Sequence, residues 1–135
     1  MKTLQEQLEF FMDKMSNDNV NNVIGVYFKD EVDLRLNVRA LKQFFIDNNF
    51  SKVDSENNSF AICPKCKISF LVPKSHMIGN EFNYIVYDSG IGARLVDYII
   101  APSFVGYTTR HCVCMSLHLK WDNSIHKIIA GVRGE

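Results

Sequence analysis

The chain has 135 residues, 47% hydrophobic and 22% charged, with 15 basic and 15 acidic side chains that cancel. Such a chain suits one globular domain that hides roughly two-thirds of its unfolded surface, which excludes a disordered class. The zero balance also counts against a nucleic-acid binder, which needs a basic excess for phosphate contacts, and against a polybasic membrane anchor.

The start, Met1-Lys2-Thr3-Leu4-Gln5-Glu6-Gln7, is charged and carries no apolar signal core. No stretch approaches the length of a transmembrane helix. Both features imply an intracellular protein, cytoplasmic or nuclear, whose thiols stay reduced. Asparagine clusters at Asn17, Asn19, Asn21 and Asn22, and at Asn57 and Asn58. That usage accompanies AT-rich genomes, those of many phages and insect viruses among them.

Thr3 to Met15 reads as an amphipathic helix, with Leu4, Leu8, Phe11 and Met15 on one face. Thr3 and Glu6 have the spacing of a capping box. The apolar stripe is read as core, with a docking helix for a partner as the alternative. Ser16 to Asn22 is a polar loop that would make residues 1–17 a separable N-terminal helix. Val23 to Lys29 is a β-rich run. Val32, Leu34, Leu36 and Val38 alternate with polar residues, which predicts a half-buried strand hairpinned at Asp30-Glu31. Asn37 would then cap a helix from Val38 to about Asn48.

Strands are expected over Phe50 to Val53, Ser59 to Ile62 and Ile68 to Val72, and again over Phe82 to Tyr87. Ala93 to Ile100 fits a short helix ended before Pro102. Tyr107 to Trp121 is strand-like, Asp122-Asn123-Ser124 is a turn, and Ile125 to Val132 is apolar without a clear period.

All four cysteines fall in two pairs, Cys63-Pro64-Lys65-Cys66 and Cys112-Val113-Cys114. A strand enters the first pair and a strand leaves it, and this resembles the first half of a zinc ribbon. Backbone N–H groups in such a turn point at sulfur and favour thiolate. Lys65 and Lys67 would offset part of the charge. Val113, Met115, Leu117, Leu119 and Trp121 alternate, so Cys112, Cys114, Ser116 and His118 share the other strand face. The spacing predicts a structural Zn2+ held by Cys63, Cys66, Cys112 and Cys114, with His111 and His118 as reserve ligands. Buried thiols and a disulfide are the competing readings. A thioredoxin-type motif would need a helix at Cys63, and a zinc deaminase an H-x-E that the chain lacks. A BIR-like zinc fold would need a His and a Cys at a spacing not found here.

The second candidate is Asp88-Ser89-Gly90-Ile91-Gly92, between a strand and a helix. Such a turn can bind an anion through free N–H groups and the helix dipole. The D-x-G-x-G string resembles one box of the GHKL ATPases, in which the Asp reads adenine. No Asn-bearing helix box or second glycine box accompanies it. His76, His118 and His126 are scattered, and Arg35, Arg39 and Lys42 read as a solvated face balanced by Asp33 and Asp47.

The fold class expected is therefore α+β: a small mixed or antiparallel sheet with two or three helices, stabilised by a zinc-ribbon-like four-cysteine site, in one domain over residues 1–135. The function expected is a zinc-stabilised, non-enzymatic binding or assembly module. Its partner is expected to be a protein or larger assembly, with nucleic acid less favoured and no membrane. The alternatives are a small hydrolase or nuclease using the metal or the Asp88–Gly92 loop, and a nucleic-acid-binding zinc-ribbon protein.

Overall fold

The computed structural model describes residues 3–15, 22–54, 59–63, 66–74, 81–106, 109–117, 120–122 and 127–129. The Asn-rich segment 16–21, residues 55–58 and 123–126, where turns were expected, and Pro64, Lys65, His76, His118 and Leu119 lie outside them.

Helix α1 (Leu4–Met15) starts at the expected capping box. The Thr3 amide donates to the Glu6 carboxylate at 3.3 Å, and the Glu6 amide to Thr3 Oγ1 at 3.2 Å. Strand β1 (Asn22–Tyr27) follows. The expected strand over Val32 to Val38 is a helix instead, α2 (Glu31–Ala40), followed by α3 (Lys42–Asp47). Asp30 starts α2, its Oδ1 accepting from the Asp33 amide at 2.8 Å. Alternation misleads here because Val32 and Leu36 are exposed. The face that packs is Leu34, Asn37, Val38 and Leu41, at helical spacing.

Strands β2 (Ser51–Asp54), β3 (Ser59–Cys63) and β4 (Cys66–Leu71) form the expected antiparallel run. Then comes β5 (Tyr84–Asp88). The next helical stretch is continuous: α4 (Ala93–Leu95), a π turn (Val96–Ile100) and α5 (Ala101–Ser103). It runs through Pro102, where an end was expected. The π turn is the reason, since the Ala101 amide reaches back to the Val96 carbonyl. The widened turn absorbs the clash a proline ring makes inside an α-helix. After a 3-10 turn at Thr109–His111 comes β6 (Cys112–Met115). Strands β7 (Lys120–Asp122) and β8 (Lys127–Ile129) pair as a separate antiparallel hairpin.

The main sheet has six strands in the order β2-β3-β4-β1-β5-β6, and β4, β1, β5 and β6 are all parallel. The molecule is thus mixed α/β, with an antiparallel hairpin extending a parallel sheet. From β1 the chain crosses over to β4 on one side. From β5 it crosses to β6 on the other. Crossovers of the same right-handed sense in opposite directions put their helices on opposite faces. The two cores agree. Leu4, Leu8, Phe11 and Met15 of α1 and Leu34, Phe44 and Phe45 of α2 and α3 pack with Ile24, Val26, Phe70 and Val86. Ile99 and Ile100 pack with Tyr27, Leu71, Phe82 and Ile85 on the other face. Tyr27 and Ser103 tie that helix to the sheet through hydroxyls 3.0 Å apart. Gly25 is required on this face, because a Cβ there would lie 2.7 Å from the Phe82 ring.

Candidate functional site

The C-terminal ends of the parallel strands share one edge. There β1 leads through Phe28 and Lys29 to the Asp30 cap, and β5 leads through Ser89, Gly90 and Ile91 to the helix starting after Gly92. The chain departs from β1 and from β5 in opposite directions along the sheet, which makes this the switch point of its parallel part. Open parallel sheets leave a crevice at such a switch point.

Asp88 closes β5 and is buried. Its Oδ1 accepts from the Gly90 amide at 3.0 Å and, more weakly, from the Leu117 amide at 3.5 Å. It therefore fixes the loop after β5 and the chain leaving β6 together. The Ser89 amide donates to the Met115 carbonyl at 2.8 Å and extends the same join. Lys29 lies across this loop, with a methylene 3.3 Å from where a Gly90 Cβ would be. Its ammonium is 3.3 Å from the Asp33 carboxylate. That hydrogen bond and charge hold the ammonium above its usual range, with Asp88 and Asp30 adding to it. Lys74, after β4, pairs with Glu31 at 3.2 Å.

Gly92 has no side-chain cap bond to the helix it begins. A Cβ on it would meet nothing within 4 Å. The first amides of a helix have no carbonyl within the helix to bond. This edge thus combines Lys29, the Asp88 loop and a bare helix start.

The cysteine pairs stand elsewhere. Cys63 and Cys66 are opposite each other where β3 meets β4, at the amino end of β4. Cys112 and Cys114 lie on edge strand β6, opposite Ile85 and Tyr87. β1 and β5 run between β4 and β6, so the pairs are three strand spacings apart, roughly 14 Å at about 4.8 Å each. Cysteines sharing one zinc hold it at about 2.3 Å from each sulfur. The sheet therefore does not bring the four together. Among the described residues, no group of three or more His, Cys, Asp or Glu is placed to hold a metal ion.

Cys112 and Cys114 do share a strand face, as the alternation implied. Cys112 packs with the cluster around Ile85, and Cys114 is exposed beside Tyr87. Burial, then the neighbouring Cys114, pushes the Cys112 thiol up to about 11. Burial and these two thiols also raise Tyr87. His111 turns to the opposite face, with its ring 4.6 Å from Tyr84 and 6.2 Å from Phe11. It is not beside the cysteines it would assist.

Lys29 is the residue that sequence reading passed over. The available signal was a β-rich run, then Lys29, then the Asp30 cap, which is the β-to-α junction of a parallel unit. No family model, curated protein or solved structure matches the chain. Among the described residues, no helix is long and apolar enough to cross a membrane.

Proposed function

We propose that the chain is an α/β binding module that takes a small ligand with an anionic group at the carboxyl edge of its parallel sheet. The observation that carries this reading is the opposite directions in which the chain leaves β1 and β5, the point at which open parallel sheets bind ligands. Lys29 supplies the cation, in exchange for its contact with Asp33. The amides at Gly92 and Ala93 supply neutral donors at a helix start. Asp88 holds the loop in place through the Gly90 amide and is not itself a ligand contact.

The probes are inorganic phosphate and a nucleoside triphosphate, added to the isotope-labelled chain. The backbone amides of Gly90, Gly92 and Ala93 are expected to shift and saturate. Lys29→Ala should weaken binding by about tenfold, the loss of one charge-assisted hydrogen bond. Amides that do not move with either probe, or an affinity unchanged by Lys29→Ala, would remove this reading.

A further inference from the structure

The exposed charges on the layer formed by α1, α2 and α3 sort by sign. These helices cover one face of the sheet with Leu4, Leu8 and Phe11 and with Leu34, Phe44 and Phe45. On the outward side of α1 lie Glu6, Glu9, Phe10 and Asp13, spaced i, i+3, i+4 and i+7 and all exposed. On the outward side of α2 and α3 lie Arg35, Leu36, Arg39 and Lys42, also exposed. The Leu41 amide bonds back to the Asn37 carbonyl and the Phe45 amide to that of Leu41, so the helical path runs on through the joint. Each set covers about 10.5 Å of helix, two turns. Each holds charges of one sign around one large apolar side chain. Phe10 is 41% exposed, with the Lys14 ammonium over its ring at 5.0 Å, and Leu36 is 39% exposed.

Sequence alone balances the cations with Asp33 and Asp47, but the fold engages both elsewhere. Asp33 takes the Lys29 ammonium at 3.3 Å, and Asp47 accepts from Gln43 Nε2 at 2.8 Å. Glu31 pairs with Lys74. Among the described residues, no ion pair reaches Arg35, Arg39 or Lys42. A phosphate chain or an anionic membrane drawn to these cations would also meet Glu6, Glu9 and Asp13 on the same layer. An acidic protein would be repelled in the same way. A second copy of this chain presents both signs on one layer and so complements both.

We propose that two copies form a dimer in which α1 of each lies on α2 and α3 of the other. Because both faces belong to one layer, a two-fold axis makes the two contacts at once and closes the pair. Glu6, Glu9 and Asp13 of one copy then meet Arg35, Arg39 and Lys42 of its partner copy, and Phe10 meets Leu36. The net charge of zero leaves no overall repulsion between copies. Single exposed ion pairs contribute little, so the contact relies on several charges acting together around the shielded Phe10 and Leu36. None of these residues belongs to the ligand site at the Lys29 edge, so either reading can fail alone.

The test is sedimentation of the complete chain. At about 100 μM and low salt the 15.5 kDa chain should run as a dimer, and it should return toward monomer as salt screens the charges. One variant carries Arg35→Glu with Arg39→Glu. The other carries Glu9→Lys with Asp13→Lys, which spares the Thr3–Glu6 cap. Each alone should be monomeric. An equimolar mixture of the two should dimerise again, because one contact is then native and the other pairs opposite signs in exchanged places. If a variant fails to fold, the concentration and salt dependence of the unaltered chain still decides. A chain that stays monomeric at that concentration, a dimer indifferent to salt, a dimer formed by either variant alone, or folded variants that stay monomeric when mixed would each overturn the proposal.

Discussion

At the scale of single residues, Cys112 is a thiol that its surroundings make hard to ionise. Burial and the neighbouring Cys114 raise it from the usual 9.0 to about 11. The folded state therefore holds this proton more tightly than the unfolded chain does. Its contribution to stability is complete below about pH 9 and is lost as pH climbs through about 11. Tyr27 is raised by burial as well, so it adds a loss in the alkaline range. Urea unfolding of Cys112→Val should consequently show a shallower fall in stability between those pH values than the unaltered chain. Equal slopes would mean that Cys112 ionises as freely in the fold as outside it. The same thiol shows what was legible at this scale. The alternation of Val113, Met115 and Leu117 placed both cysteines on the opposite face, and the fold agrees. Local spacing could not reveal the strands that would lie between Cys66 and Cys112. That distance depends on strand order, which residues far from either cysteine decide. Asp88 was legible as the head of a glycine loop, whereas Lys29 has meaning only once β1 and β5 are neighbours.

Among the elements, α2 shows how a pattern can point to the wrong structure. Val32, Leu34, Leu36 and Val38 alternate as a half-buried strand does. Only alternate members of that set meet the core, and they do so alongside Asn37 and Leu41. Asn37 disguised the helical face because it is polar. It is fully buried, and its Nδ2 donates to the Leu117 carbonyl at 3.0 Å and the Asp33 carbonyl at 2.8 Å. The decisive local signal was Asp30 three residues before Asp33, a cap that the hairpin reading spent on a turn. Two substitutions separate the readings. Asp30→Ala should cost about 1 kcal/mol through the lost cap. Val32→Ser should stay within about 0.5 kcal/mol, since Val32 is 63% exposed on the helix. A large loss from Val32→Ser in chemical denaturation would restore the strand. By contrast, α1 and the β3–β4 hairpin were legible, because a capping box and a pair of strands around a short turn are local features.

For the whole molecule, the parallel sheet was the least legible feature, and the reason is physical. Strands covered on both faces read as unbroken apolar runs, such as Val23 to Tyr27 and Tyr84 to Tyr87, with no alternation to give direction or order. Such a sheet needs a helical layer on each side. On one side α1 supplies part of that layer. Phe11 lies 4.9 Å from the Tyr84 ring, and Leu4, Leu8, Phe11 and Met15 are all buried. At about 1.5–3 kcal/mol for each such side chain, α1 contributes roughly 6–12 kcal/mol of burial. A domain's entire stability is about 5–15 kcal/mol. Removing the helix would also uncover the Tyr84 ring of β5, against which Phe11 packs. The fragment of residues 16–135 should therefore show no cooperative thermal transition, and a synthetic peptide of residues 1–15 should restore one when added in excess. A helix that merely docked on another protein would behave differently. The fragment would then melt as sharply as the complete chain, the peptide would change nothing, and the apolar face of α1 would belong to a partner and not to this core.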